Sequence, residues 1–144
     1  MSLSEENRNL AIKAAKKFPS NIKGTSQEFQ KMEEKIGLKL SKDFKEIYLL
    51  YPYDLFKNFE FNSFPEGCIE ETLRLRENAK LPVDSIMLSE DDASIILLKC
   101  YGDYEEVYWI AIEDYENYCN NDPLIYNPTI FSNFPDFFKF LLND

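Results

Sequence analysis

Eight carboxylates crowd one part of this 144-residue chain: Glu90, Asp91 and Asp92, then Asp103, Glu105 and Glu106, then Asp114 and Glu116. Clustered carboxylates support three kinds of chemistry. Several oxygens together can hold a hard cation such as Mg²⁺ or Ca²⁺. Paired carboxyl groups can act as general acid and base, as in glycoside hydrolysis. A field of one sign can steer and orient an oppositely charged macromolecule. No EF-hand spacing supports the first, and no pair stands out from the others to support the second. The third is left, beside a plain alternative in which acidic loops only keep a domain in solution.

Composition removes other chemistries. The chain has no histidine, which excludes Ser–His and Cys–His nucleophile activation, His-based zinc sites and imidazole pH switching. Cys68, Cys100 and Cys119 are odd in number and far apart, as expected of reduced thiols in a cytoplasmic protein. Four glycines (24, 37, 67 and 102) never cluster, so no phosphate-cradling loop is formed. The polar, acidic start Met1-Ser2-Leu3-Ser4-Glu5-Glu6 does not resemble a signal peptide, and no apolar run is long enough to span a bilayer. No cofactor and no metal are expected.

The net charge of −10 is unevenly placed. Residues 1–83 carry 14 Lys/Arg against 13 Asp/Glu, whereas residues 84–144 carry 2 against 13. Such a field repels nucleic acid and favours a basic protein partner on the acidic half.

The acids bracket a hairpin. Ile95–Tyr101 and Glu106–Ile112 are rich in β-branched and aromatic residues, and Gly102-Asp103-Tyr104-Glu105 joins them. Before it, Ser4–Phe18 reads as an amphipathic helix capped by Ser4, with Lys13, Lys16 and Lys17 towards its C-terminal end. Thr25–Gly37 is a second helix, with a Thr25/Glu28 capping box and Gly37 as its C′ residue. Ser41 caps a third, Lys42–Tyr51, ended by Pro52. Residues 55–64 alternate partly, through Phe56, Phe59, Phe61 and Phe64, and suggest a strand before a turn at Pro65-Glu66-Gly67. Cys68–Asn78 is helical, and its Arg74 and Arg76 are expected to pair with Glu70, Glu71 or Glu77. Leu81–Leu88 leads into the first sheet strand, and Trp109 is expected in the core. Asp114–Asn127 reads as a long loop, with a short strand at Leu124-Ile125-Tyr126. Asn133 caps a closing helix, Phe134–Leu142.

The capped helix followed by IGLKLSKDFKEIYLLY, through Gly37, Leu40, Asp43, Phe44, Ile47, Tyr48 and Tyr51, resembles the SUKH superfamily. That superfamily holds bacterial immunity proteins and the related fungal regulators of cell-wall glucan synthesis. The aromatic step Val107-Tyr108-Trp109 and the closing NFPDFFKFLL are similar to it as well. The likeness covers residues 25–142, with residues 1–24 as an N-terminal helical extension. Ser41 stands where the family usually has proline, and Pro52-Tyr53-Asp54 replaces its usual Asn-Gly-Gly turn. The resemblance implies a single α+β domain with a mixed or antiparallel sheet of about four to six strands flanked by helices. It also implies a non-catalytic role, either neutralising a cognate toxin by direct contact or regulating wall synthesis. Its contact residues do not carry over by motif. The eight carboxylates are therefore expected, on charge alone, to form the partner surface.

Overall fold

The computed structural model describes residues 4–17, 24–51 and 66–143. It is an α+β fold built from α1 (Glu5–Lys17), α2 (Ser26–Ile36), α3 (Lys42–Leu50), α4 (Glu66–Asn78), α5 (Tyr115–Cys119) and α6 (Phe134–Asn143), with strands β1 (Ser85–Glu90), β2 (Ser94–Cys100), β3 (Glu105–Ala111) and β4 (Thr129–Phe131). The strands form an antiparallel meander in the order β1-β2-β3-β4. The strand expected within residues 55–64, the Pro52 turn and Pro65 lie outside the described residues.

Local signals set the helix ends. The Glu28 carboxylate accepts from the Thr25 backbone N–H at 2.8 Å, and Gly37 closes α2 in the left-handed region at φ 77°. Ser41 Oγ accepts from the Phe44 N–H at 3.1 Å and starts α3. Asn133 Oδ1 accepts from the Asp136 N–H at 2.8 Å and starts α6. Asn7, on α1, donates to Glu46 and Asp43 of α3, each at 2.8 Å. Burial alone would raise the Glu46 pKa, but donation from Asn7 and Ser4 outweighs it and leaves the carboxylate below its usual range.

Strand alternation divides the apolar residues between two faces. Ile86, Leu88, Ile96, Leu98, Cys100 and Val107 pack with Phe29, Phe44, Ile47, Phe134, Phe137 and Phe138 in the larger core. Met87, Ile95, Leu97 and Ile110 face the other way, under Leu75, Tyr115, Tyr118 and Leu124. A bulge leaves Leu88 as an extra residue between the Met87–Leu97 and Ser89–Ile96 pairs. Along the outer side of β1 lies α4, whose Thr72 Oγ1 accepts from the Met87 N–H at 3.1 Å. One edge of the sheet is thereby closed.

Five sequence expectations change. Glu66 and Gly67 open α4 instead of forming a turn. Arg74 pairs with Glu71 as expected, at 2.6 Å, but Arg76 donates to the carbonyls of Ile36 (2.6 Å) and Val83 (2.8 Å). Residues 115–119 are helical because Tyr115, Tyr118 and Cys119 share one side that covers the second face. The last strand falls at Thr129–Phe131 instead of Leu124–Tyr126, because the Ile125 and Tyr126 N–H groups are taken by the Asp114 carboxylate. Trp109 is only half-buried: it pairs with Thr129 of the edge strand and is covered edge-on by Phe140 at 5.8 Å.

Candidate functional site

The hairpin separates the eight carboxylates instead of gathering them. Its seven-residue strand β2 holds the two ends of the sheet roughly 20 Å apart. Glu90, Asp91 and Asp92 lie at the β1–β2 turn. Glu113 and Glu116 join that end, because the Ile112 N–H donates to the Ala93 carbonyl at 2.9 Å and docks the chain after β3 beside the turn. Asp103 and Glu106 lie at the opposite end, by the β2–β3 loop.

Three of the eight are committed locally. Asp91 closes its own turn by accepting from the Ala93 (2.8 Å) and Ser94 (2.7 Å) N–H groups, which hold its carboxylate below the usual range. Glu106 is half-buried and accepts from the Tyr101 hydroxyl at 2.7 Å and the Tyr108 hydroxyl at 3.3 Å. Asp103 is exposed and bridges to Lys39 at 3.0 Å.

Two others are not surface groups at all. Glu105 is buried; it accepts from Ser41 Oγ at 2.6 Å and from the Phe134 backbone N–H. Burial raises its pKa, and these donors offset only part of that rise. Asp114 is buried as well, accepting from the N–H groups of Ile125 (2.8 Å) and Tyr126 (2.9 Å) and from Asn117 Nδ2 (3.1 Å). Burial would raise its pKa, but the three donors carry it below the usual carboxylate range. These two carboxylates grip the chain on either side of β4, Asp114 before it and Glu105 after it. The sequence expectation that they form a partner surface is corrected on this ground.

That leaves Glu90, Asp92 and Glu116 exposed at one end, together with Glu113, which the sequence reasoning left out. The signal for Glu113 was available: once Asp114 turns inward, its neighbours 113 and 116 turn outward on the helical turn. Arg74 approaches Glu90 at 3.9 Å while holding Glu71 more closely.

A second feature escaped the sequence reading. Lys99 Nζ lies 5.6 Å from the ring centres of Tyr101 and Tyr108 and 5.9 Å from that of Tyr118. The ammonium is thus held over aromatic faces on the second side of the sheet. Alternation through Leu97, Lys99 and Tyr101, facing Glu106 and Tyr108, is the pattern that could have found it.

The chemistry open to these groups is narrow. Burial, with Glu105 and Asp84 nearby, pushes the Cys100 thiol up to about 12, so it stays protonated and is not an activated nucleophile. Among the described residues, no three His, Cys, Asp or Glu side chains gather closely enough to hold a metal ion. No helix among them is long and apolar enough to cross a membrane. Comparison with protein-family models, curated proteins and solved structures finds no match.

Proposed function

We propose that this chain is a non-catalytic protein-binding domain of the cytoplasm, an immunity protein that neutralises a basic toxin by direct contact. One observation supports the reading most. Asp92, Glu113 and Glu116 stand exposed, with Glu90, around the β1–β2 end of the sheet. The chain from residue 100 to 138 contains no Lys or Arg, and the cations nearest these acids come from outside it: Arg74 at 3.9 Å from Glu90, and Lys80, which lines one cleft with Glu116. A field of that kind accelerates and orients the capture of a basic protein, such as a nuclease with a cationic cleft. The resemblance to the SUKH superfamily points the same way. Neither a nucleic acid nor a membrane is the expected partner.

The test is affinity purification from the source cells at low salt and then at about 0.5 M, where the Debye length falls to roughly 4 Å. A basic toxin domain released by salt is the expected product. Asp92, Glu113 and Glu116 changed together to Lys should then slow association by about tenfold or more, with a shallower salt dependence. Recovery of wall-synthesis proteins alone would replace this reading with the regulatory one. An association rate unmoved by the charge reversal would remove the acidic surface from it.

A further inference from the structure

Lys99 is the single cation between residues 81 and 138, and the fold leaves it without a counter-charge. In the sheet register it stands directly opposite Glu106 on β3 and Ser85 on β1. A lysine facing a glutamate across two strands ordinarily pairs with it. Here the two are held apart. The Glu106 carboxylate accepts from the hydroxyls of Tyr101 and Tyr108 instead, at 2.7 and 3.3 Å. Ser85 Oγ is taken as well, donating to Asp84 at 3.1 Å and lying 2.7 Å from the Tyr118 hydroxyl. Among the described residues the Lys99 ammonium has no ion pair and no hydrogen bond. Beside it are the ring faces of Tyr101, Tyr108 and Tyr118.

The rings are fixed in place. Tyr108 meets Tyr118 edge-on at 5.5 Å, and Tyr101 stacks on Tyr104 at 5.1 Å. Three of the hydroxyls are anchored by the same bonds that occupy Glu106 and Ser85. Tyr104 is 62% and Tyr101 37% exposed, whereas Lys99, Tyr108 and Tyr118 are half-buried. The product is a preorganised aromatic patch, open towards Tyr101 and Tyr104, with one unmatched positive charge set into it. Immobilised tyrosines around a charged anchor have the composition of a binding hot spot.

We infer that this Lys99–tyrosine patch is a second contact for the protein partner, and that it takes an aspartate or glutamate side chain of the partner flanked by apolar or aromatic residues. The ammonium offers donors that its own chain does not use, so an acceptor must come from outside. Asp84 and Glu106 lie close to the same rings, and they would repel a doubly charged phosphate more than a single carboxylate. Lys39, the other cation at this end of the sheet, is engaged with Asp103 and does not offset them. Four rings offer more surface than a free carboxylic acid covers, which favours a carboxylate carried on a chain. The inference rests on the protein-binding reading above and gives the partner a charge pattern. Its cations meet the β1–β2 end, and one carboxylate meets the opposite end of the sheet. Two contacts of opposite sign fix the orientation in which the partner docks.

The test titrates the full chain at about 0.15 M salt with the peptide acetyl-Phe-Glu-Phe-amide, its Phe-Gln-Phe twin, inorganic phosphate and benzoate, read by NMR. Expected are saturable shifts confined to Lys99 and the four tyrosines, with a Kd of about 1–10 mM for the glutamate peptide. The glutamine twin should bind at least about fivefold more weakly. That difference should vanish in K99M, which keeps the apolar stem, and persist in K99R, which keeps the charge. Equal affinity for the two peptides, shifts elsewhere, a difference that survives K99M, or no saturation up to about 20 mM overturns the inference. Tighter binding of phosphate or benzoate than of the glutamate peptide overturns its choice of occupant. Against a partner released by salt, K99M should speed dissociation by about tenfold and leave association unchanged. Unchanged dissociation in K99M, with association slowed by changing Asp92, Glu113 and Glu116 to Lys, removes the anchor and leaves the acidic surface standing. Peptide binding that needs Lys99, with no basic partner recovered, leaves the anchor standing and removes the toxin reading.

Discussion

Replacing Glu105 by alanine should destabilise the protein by about 2–3 kcal/mol, far more than the same change at Asp103. Both residues are acidic and two positions apart at one hairpin loop, yet their surroundings are opposite. Asp103 and its partner Lys39 are 89% and 65% exposed, and such a bridge contributes about 0–1 kcal/mol. Glu105 accepts from Ser41 Oγ and from the Phe134 N–H inside the core. Its removal strands two buried donors at about 1–3 kcal/mol each, less what is regained by no longer burying a carboxylate. The assay is urea unfolding at about pH 7, followed by the fluorescence of Trp109, the single tryptophan, with unchanged m values. A second arm uses pH. The folded-state pKa of Glu105 is raised above its ordinary 4.5, so folding favours its protonated form. The contribution is complete below about pH 4.5 and is lost as pH rises through the folded-state pKa. E105Q should therefore flatten the decline of stability that begins above about pH 4.5 and ends once pH has passed the folded-state pKa. If E105A costs no more than D103A, or E105Q leaves the slope unchanged, the assignment of Glu105 as a buried clamp is refuted.

Asp114→Asn should selectively speed amide exchange at Ile125 and Tyr126. The Asp114 pKa is lowered from 3.8, so its contribution is present above that pH and lost as pH falls through the folded value; the variant should lack this acid limb in a denaturation series. Thr72→Val should cost about 1–2 kcal/mol and expose the Met87 amide to exchange, because the hydroxyl that closes the β1 edge is gone. Gly37→Ala, at φ 77° with nothing nearby, should lose about 1 kcal/mol, and Gly24→Ala should lower the melting temperature further, because its new methyl would collide with the ring and carbonyl of Tyr48. Among the thiols, Cys119 should react first with a soluble alkylating reagent, with Cys68 and Cys100 protected until the protein unfolds.

Where hydrophobic period and cap chemistry agree, the sequence was sufficient. Thr25 with Glu28, Ser41 with Phe44 and Asn133 with Asp136 start their helices as expected; the central hairpin forms, but its loop falls one residue earlier than expected, at 101–104, with Cys100 opposite Glu105. Agreement ends where a side chain replaces the backbone as hydrogen-bond partner. Asp114 takes two N–H groups that a strand at 124–126 would have used, and the strand forms five residues later, at 129–131. Arg76 reaches the carbonyls of Ile36, far back in the chain, and of Val83, just past the helix end, a pairing that helical spacing does not contain. The acidic site was misread for the same reason. Charge counts treat every carboxylate alike, while the fold separates them by parity: Glu105 points with Val107 into the main core, and Glu106 points with Tyr108 to the other face.

That separation explains how one residue type can serve two ends in a chain of net charge −10. Burying a carboxylate is unfavourable unless donors converge on it, and backbone N–H groups are donors that carry no opposing charge. Asp114 and Glu105 therefore fix the chain around β4 without recruiting a lysine or arginine, and the segment from 100 to 138 remains free of cations. Had Lys or Arg made the same clamps, they would have reduced the negative charge of this half of the chain. The buried pair and the exposed acids are thus coupled. The first keeps a three-residue strand ordered, and by doing so largely with backbone donors it adds no cation to the segment that carries Glu113 and Glu116.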